Sequence, residues 1–193
     1  MLNTILTGLL LLPGLAAAGD AGKGAAMNYT ETGYFTVSLP AGWAKTEPAL
    51  GLSKEEKKVF GAEFRKPADA DGLSPKIAVF YYAPGNLLHK TPEKYIRVHS
   101  QPALGAAADG RQYGPVKAGA VGKYYAKIFE RKTFEYVPPE GIKQKKVPVY
   151  EKFSVVPVKN GFYVLSYYSP MDSAKAGLAD YEDALASFKL LVR

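Results

Sequence analysis

The chain has two histidines, the residues most often used for catalysis and metal binding near neutral pH. His89 and His99 are ten residues apart, so a metal site would need a third ligand such as Glu93 or Asp109. Metal sites in proteins show recognisable ligand spacings, and this sequence has none. We therefore predict no metal site, with one histidine in a loop and the other packed on a helix.

Other residue patterns that support catalysis are also missing from the sequence. The chain has no cysteine, which excludes disulfides, thiolate metal sites and a cysteine nucleophile. It has no Gly-x-Ser-x-Gly motif, and residues 105–110 lack the spacing of a phosphate-binding loop. Glu55 and Glu56 lie within a lysine-rich run, which is typical of a solvated turn. We expect no catalytic residue and no cofactor, and a hydrolase of unrecognised type is the third of three hypotheses.

Positive charge is the feature of the composition that points to a partner. The net charge is +7, and residues 123–152 hold eight basic and four acidic side chains. Lys143, Lys145 and Lys146 fall within a proline-flanked hairpin loop predicted over residues 137–148. Such a cluster docks on an acidic protein or an anionic membrane surface, or it keeps a strand edge soluble. No nucleic-acid recognition motif is present, so we expect no nucleic-acid partner.

Tyrosine is abundant, with 14 in the chain. Three pairs are adjacent in sequence: Tyr81-Tyr82, Tyr124-Tyr125 and Tyr167-Tyr168. In a strand each pair places one ring on either face of the sheet. The outward rings pack under covering helices or line a groove for a small ligand, and the groove gives the second hypothesis, a small-ligand carrier.

The strands that would position these residues are predicted from alternating apolar residues. Strands are expected over 34–39, 59–64 and 76–82, and the last is apolar on both faces, as in a central strand covered on both sides. From residue 116 onward we predict an antiparallel meander that includes one strand of about 15 residues. Lys159-Asn160-Gly161 predicts a type I′ turn, because Asn-Gly tolerates the positive φ angles this turn needs.

Two helices are predicted from their start residues and apolar spacing. Thr91-Pro92-Glu93 is a typical helix start, and Pro102 ends that helix. Residues 104–114 are rich in Ala and Gly and predict a loop. The C-terminal helix has one apolar stripe: Ala174, Leu178, Tyr181, Leu185 and Phe188. Gly177 costs its first turn about 1 kcal/mol relative to Ala, so we expect the helix to begin effectively there.

The N-terminal residues have the features of an export sequence. Residues 5–15 are apolar, fall short of the roughly 20 residues that cross a bilayer, and precede Ala16-Ala17-Ala18. We predict a signal peptide over 1–18, a flexible linker over 19–28 and a single domain over 29–193. The expected location is the periplasm, with the thylakoid lumen or the extracellular space as alternatives. We expect no transmembrane segment in the mature chain.

The order of the elements resembles that of a known family. A strand leads into Leu39-Pro40-Ala41-Gly42-Trp43, followed by the Thr-Pro-Glu helix, the meander and a helix that closes in Ser187-Phe188-Lys189. This order resembles the PsbP-like group and related bacterial families that share a fold with Ran-binding Mog proteins. The resemblance implies an α+β fold, an α/β/α sandwich with a central, mostly antiparallel sheet and helices on both faces.

The same resemblance implies a function. Members of the group are mostly non-catalytic and dock on larger assemblies. The first hypothesis is therefore an exported accessory protein that docks on a larger envelope or photosynthetic complex, with Lys143, Lys145 and Lys146 as the docking residues.

Overall fold

The described part of the chain forms two antiparallel sheets and three helices. The computed structural model describes residues 26–46, 51–103, 110–139 and 143–191. The predicted signal peptide lies outside these residues, as does most of the predicted linker. Strand β1 (Met27–Glu31) begins inside that linker, so regular structure starts before the predicted boundary at residue 29.

The larger sheet has eight strands, ordered β3-β4-β5-β10-β9-β8-β6, with β7 also pairing with β8. All of its pairs are antiparallel. The strands are β3 (Ala44–Lys45), β4 (Val59–Arg65), β5 (Lys76–Tyr82), β6 (Gln112–Tyr113), β7 (Lys117–Val121), β8 (Tyr124–Val137), β9 (Lys145–Val158) and β10 (Gly161–Pro170). The predicted antiparallel meander is confirmed. The predicted loop over 104–114 is wrong in part, because β6 lies within it and pairs with β8.

A smaller sheet and the helices complete the described structure. The small sheet has the order β1-β2-β11, with β2 at Phe35–Leu39 and β11 at Lys189–Leu190. The helices are α1 (Lys54–Lys57), α2 (Pro92–Ser100) and α3 (Ala174–Ser187). The turn predicted around Glu55 is this exposed α1, a single helical turn that Ser53 and Glu56 close with a reciprocal capping box.

Strand β5 contributes side chains to two separate hydrophobic clusters. Ile77, Val79 and Tyr81 lie in the larger cluster, together with Tyr181 and Leu185 of α3. Successive side chains of a strand point to opposite faces, so the neighbouring side chains of β5 belong to the other face. Tyr82 accordingly lies in the smaller cluster with Tyr95 of α2. The prediction of a strand buried on both faces is confirmed.

The small sheet packs on the larger cluster. Phe35, Val37 and Leu39 are all at most 2 % exposed, as their alternation predicts. Trp43 is also buried, and its Nε1 donates a hydrogen bond to Asp180 of α3 at 3.0 Å. Trp43 therefore anchors the small sheet and α3 to the core.

The turn between β9 and β10 differs from the prediction. A type I′ turn needs positive φ at both central residues. Among the described residues the only non-glycine with positive φ is Lys58, so Asn160 does not adopt that conformation. Gly161 has φ +103°, and a Cβ at this position would lie 2.2 Å from the carbonyl oxygen of Tyr82. The glycine is required by the close approach of β5 as well as by its φ angle.

Helix α3 begins before Gly177, contrary to expectation. Its first residue is Ala174, and Gly177 is buried inside the helix. A Cβ on Gly177 would lie 2.5 Å from the Oη of Tyr167, which donates a hydrogen bond to the carbonyl of Ala174 at 2.9 Å. The glycine lets helix and sheet approach closely, which offsets its poor helix propensity.

Candidate docking surface

The β8–β9 hairpin is longer than the sequence predicts. Its register runs from Lys127 opposite Val155 to Val137 opposite Lys145. The connection is therefore limited to residues 138–144, of which 140–142 lie outside the described residues. The loop bounds predicted over 137–148 are wrong, because Lys145 and Lys146 are strand residues.

The orientation of Pro148 explains why β8 and β9 stay paired through a segment where the prolines predict a loop. Its carbonyl oxygen accepts a hydrogen bond from the backbone N–H of Met171 at 2.9 Å. The N and O of a strand residue point to the same side, so the polar edge of Pro148 faces the end of β10. Its missing N–H therefore removes no hydrogen bond to β8.

The three predicted docking lysines do not share one surface. Consecutive strand residues point to opposite faces, so Lys145 and Lys146 diverge. Lys145 forms an ion pair with Asp71, whose hydrogen bond and charge raise the pKa of Lys145. Lys143 is exposed in the turn before β9. The structure thus places Lys145 and Lys146 on opposite faces of the hairpin, and docking by the three lysines stays a prediction.

The face that carries Lys146 also holds four residues that the sequence does not single out. We call it the hairpin surface: Arg111, Lys132, Phe134, Tyr136 and Lys146. Alternate residues of β8 supply its middle row, and Tyr136 lies directly opposite Lys146 in β9. The Lys-x-Phe-x-Tyr alternation at 132–136 is the signal in the sequence that predicts this row.

The ring of Phe134 contacts two cations of the hairpin surface. The Nζ of Lys146 lies 3.8 Å from the ring centroid of Phe134, and the Cζ of Arg111 lies 5.0 Å from it. Tyr136 packs against Phe134 with centroids 5.4 Å apart and an interplanar angle of 79°. Cations at these distances are attracted to the face of an aromatic ring. Tyr136 remains 43 % exposed, so the surface is both apolar and basic.

The hairpin surface continues the sheet face that α3 covers. Lys146 has the same side-chain parity as Ser154, whose Oγ accepts a hydrogen bond from Tyr181 of α3 at 3.0 Å. Between them, Lys152 forms an ion pair with Glu182 of α3 at 2.6 Å. The hairpin surface therefore lies farther along the same strands than the residues that contact α3.

Two shallow hollows adjoin this face at the edge of β8. One has a volume of about 210 Å³ and is lined by β7, β8 and β9 residues that include Lys117, Ile128 and Lys152. The other measures about 180 Å³ and lies between β6 and β8, beside Lys132. Both are smaller than the roughly 300 Å³ at which small-molecule sites begin. They suit the side chains of a partner surface better than an enclosed ligand.

The tyrosine pairs mostly pack inside the fold. Tyr81 and Tyr82 are at most 7 % exposed and enter different hydrophobic clusters. Tyr167 is buried, while the ring of Tyr168 lies 4.2 Å from the Nζ of Lys76. Neither hollow described above is lined by a member of these pairs.

The two histidines lie close together, with His89 in the loop before α2 and His99 on α2 itself, as the sequence predicts. The ring centroids of His89 and His99 are 5.4 Å apart, and both pack on Tyr95 of α2. Burial, assisted by the charge of Arg131, lowers the pKa of His99 to about 4. Burial, with a smaller effect of Lys94, also lowers the pKa of His89. Both imidazoles are neutral at neutral pH and pack against the smaller hydrophobic cluster.

Among the described residues no metal-binding group forms around the histidine pair, and the candidate third ligand Asp109 lies outside these residues. Among the described residues, no group of three or more His, Cys, Asp or Glu is placed to hold a metal ion. Arg131, which lies beside His99, is paired with Glu151, and the Nη2 of Arg131 lies 2.8 Å from the Oε1 of Glu151. In the same part of the chain, no helix is long and apolar enough to cross a membrane.

Comparisons with known proteins give a structural match and no sequence match. No protein-family model matches the sequence, and a search of curated proteins finds no match. The solution structure of cyanobacterial PsbP (CyanoP) from Synechocystis is similar with a TM-score of 0.52 at 14 % identity, covering 91 % of this chain and 98 % of that one. The expected PsbP-like fold is confirmed by this similarity.

Two further solved structures show weaker similarity. One is a protein from Bacteroides thetaiotaomicron with TM-score 0.46 and 14 % identity; the match covers 86 % of this chain and 48 % of that protein, about half its length. The other is LpqN, involved in cell envelope biogenesis of Mycobacterium tuberculosis, with TM-score 0.45 and 15 % identity, covering 90 % and 87 %.

Proposed function

We propose that this chain is an exported, non-enzymatic accessory protein that docks through the hairpin surface on an acidic face of a larger envelope complex. The observation that carries the proposal is the arrangement of Arg111 and Lys146 around Phe134, with exposed Tyr136 beside them. Aromatic residues and arginine are enriched where protein interfaces bind most strongly, and a basic rim accelerates association with an acidic partner.

The fold and the expected export support the same proposal. The fold shared with cyanobacterial PsbP agrees with a docking protein, the role that the sequence resemblance implies. We propose signal-peptide cleavage after residue 18 and a periplasmic location, with a thylakoid lumen and a photosynthetic complex as the alternative. We also propose that α2 and α3 cover opposite faces of the large sheet, because they contact β5 side chains of opposite parity.

The experiment compares two charge-matched triple variants of the full-length protein. The test variant is Arg111→Gln, Lys132→Gln and Lys146→Gln. The control replaces three exposed lysines elsewhere, Lys159, Lys175 and Lys189, with Gln. Binding to envelope membranes from the native host is measured over a salt series, with protease-treated membranes in parallel. We expect the test variant to bind more weakly and with less salt dependence, and the control variant to bind as the original protein does.

Three results would contradict docking through the hairpin surface on a protein. Equal weakening of both variants would mean that net charge acts without a defined surface. Unchanged binding of the test variant would exclude the hairpin surface. If the test variant still binds more weakly than the original protein after the membranes are treated with protease, the hairpin surface does not bind a protein partner.

A further inference from the structure

The loop between β5 and α2 is held in one conformation by a buried asparagine. Asn86 is 6 % exposed, and its Oδ1 accepts hydrogen bonds from the backbone N–H groups of Leu88 and His89, the latter at 2.7 Å. Its Nδ2 donates to the carbonyls of Ala83 and His89, at 3.0 and 2.7 Å. All hydrogen-bonding groups of this amide are thus used to fix the loop.

Both ends of the same loop are fastened to the rest of the fold. The backbone N–H of Leu87 donates to the carbonyl of Lys57 at 3.0 Å, and that of Ala83 donates to Lys58 at 3.0 Å. The ring of His89 turns inward against Tyr95, with centroids 4.7 Å apart. The loop therefore cannot turn its outward side chains into the core without breaking these contacts.

This fixed loop holds two adjacent leucines in solvent. Leu87 is 62 % exposed and Leu88 is 51 % exposed. Leu52 is 53 % exposed and immediately precedes the cap of α1, whose last turn receives the hydrogen bond from Leu87. One helical turn spans about 5.4 Å, so the three leucines share one end of the molecule. Clustered exposed apolar side chains mark an interaction site, whereas single ones are ordinary.

Exposed lysines lie near these leucines in the same segments of the chain. Lys58, Lys90 and Lys94 are all exposed. The Nζ of Lys58 would lie 3.5 Å from a Cβ built on Gly85, so its ammonium lies against the loop itself. Residues 52–58 and 87–97 together hold six basic and three acidic side chains. The region, which we call the leucine apex, consists of Leu52, Leu87, Leu88, Lys58, Lys90 and Lys94.

We propose that the leucine apex binds the surface of a membrane that contains anionic lipids. The leucines enter the interface, and the lysines contact the negatively charged head groups. Apolar side chains that project from a basic rim fit this boundary, because burial and charge attraction act on the same side of the protein. A groove on a protein partner would accept the leucines without needing the cations around them.

The leucine apex is independent of the hairpin surface. Tyr82, where the loop begins, is linked through Phe162 to Pro157 at one end of β9. Lys146 lies eleven residues along the same strand, a separation of about 35 Å at 3.3 Å per residue. A protein docked by one end can therefore contact lipid with the other, and the two sites can be tested separately.

The first test measures flotation of the full-length protein with phosphatidylcholine vesicles, with and without phosphatidylglycerol. Leu87→Ser with Leu88→Ser should weaken binding to the anionic vesicles by about tenfold or more. Replacing Lys58, Lys90 and Lys94 with Gln should cost about fivefold per lysine and reduce the salt dependence. Val116→Ser with Leu191→Ser, at two exposed apolar residues elsewhere, should change nothing.

A fluorescence measurement reports insertion directly. The chain has no cysteine, so Leu88→Cys gives a single site for a polarity-sensitive dye, and Leu191→Cys gives the control. Anionic vesicles should shift the emission of the dye at position 88 to the blue and leave that at position 191 unchanged. The proposal is overturned if the leucine variant floats like the original protein. Loss of vesicle binding by the hairpin-surface variant would also overturn it. A third contrary result is that no form of the protein binds vesicles while the leucine variant loses binding to host membranes, which would indicate that the leucine apex binds a protein.

Discussion

The two halves of the β8–β9 hairpin use the same pair of strands for different purposes. In the half next to the turn between β9 and β10, side chains on both faces are buried, among them Ala126, Phe129 and Val155. In the half near the β8–β9 connection, one face carries exposed Lys132, Tyr136 and Lys146. Core packing therefore explains the side chains of the first half. The exposed side chains of the second half do not pack in the core. Changes in the first should alter stability, and changes in the second should alter binding.

The largest expected effect lies in α3, which covers the packed half. Leu185 is 5 % exposed, and Leu185→Ala should reduce the free energy of unfolding by about 2–5 kcal/mol. Asp183→Ala, on the exposed side of the same helix, should change it by less than about 0.5 kcal/mol. Chemical denaturation measures both. Small effects of similar size would contradict the packing of α3 on the sheet.

The close approach of α3 to β10 predicts a loss from a substitution that normally stabilises helices. Gly177→Ala places a Cβ against the Oη of Tyr167, which should destabilise by about 1–3 kcal/mol despite the better helix propensity of Ala. In a Tyr167→Phe background the same change should cost less, because the closest atom is gone while two ring carbons remain 3.2 Å from the added Cβ. Thermal unfolding of the four proteins gives the coupling. A more stable Gly177→Ala protein would show that helix and sheet are not in contact there.

The smaller cluster under α2 should make stability depend on pH. The pKa of His99 is about 4 in the folded protein and about 6.5 when unfolded, so between these values the unfolded chain binds more protons. Stability should be complete above pH 6.5 and should fall as the pH drops toward 4. Allowing for solvent screening, the loss at pH 5 is about 1 kcal/mol. His99→Gln should reduce this dependence, and an unchanged slope would place the titration elsewhere.

The smallest expected effect on stability is at the hairpin surface. Lys146→Gln should change the free energy of unfolding by less than about 0.5 kcal/mol, because exposed charges contribute little. The same denaturation measurement checks this. A loss as large as that of Leu185→Ala would mean that Lys146 holds the hairpin together and would remove the distinction between the two halves.

Residue periodicity predicts the fold where neighbours in sequence determine the structure. The alternation of Phe35, Val37 and Leu39 and the stripe through Tyr181 and Leu185 both identify buried faces, because each element buries one side. The roles of Gly161 and Gly177 depend on Tyr82 and Tyr167, which belong to other elements of the fold and are not indicated by the local pattern.

The candidate site was predictable only in part. The composition indicates a basic region, but the face on which each lysine lies depends on where β9 begins. The sequence does not give that position, because Pro148 is more typical of a loop than of a strand. The pairing of His89 with His99 depends on the folding of the Asn86 loop against α2, which no local pattern indicates. The hairpin surface adds Arg111 from β6's edge, a contact between distant segments.

The most direct test of the hairpin surface uses two tyrosines of the same strand. Tyr136 and Tyr125 are 43 % and 56 % exposed and lie at opposite ends of β8. Each is replaced in turn by the photo-crosslinking residue p-benzoylphenylalanine, and the full-length protein is irradiated in envelope preparations of its native host. We predict that position 136 gives an adduct with one defined protein, that salt and Lys146→Gln both reduce its yield, and that position 125 does not give it. The same adduct from both positions, or no adduct from position 136, would contradict docking through the hairpin surface.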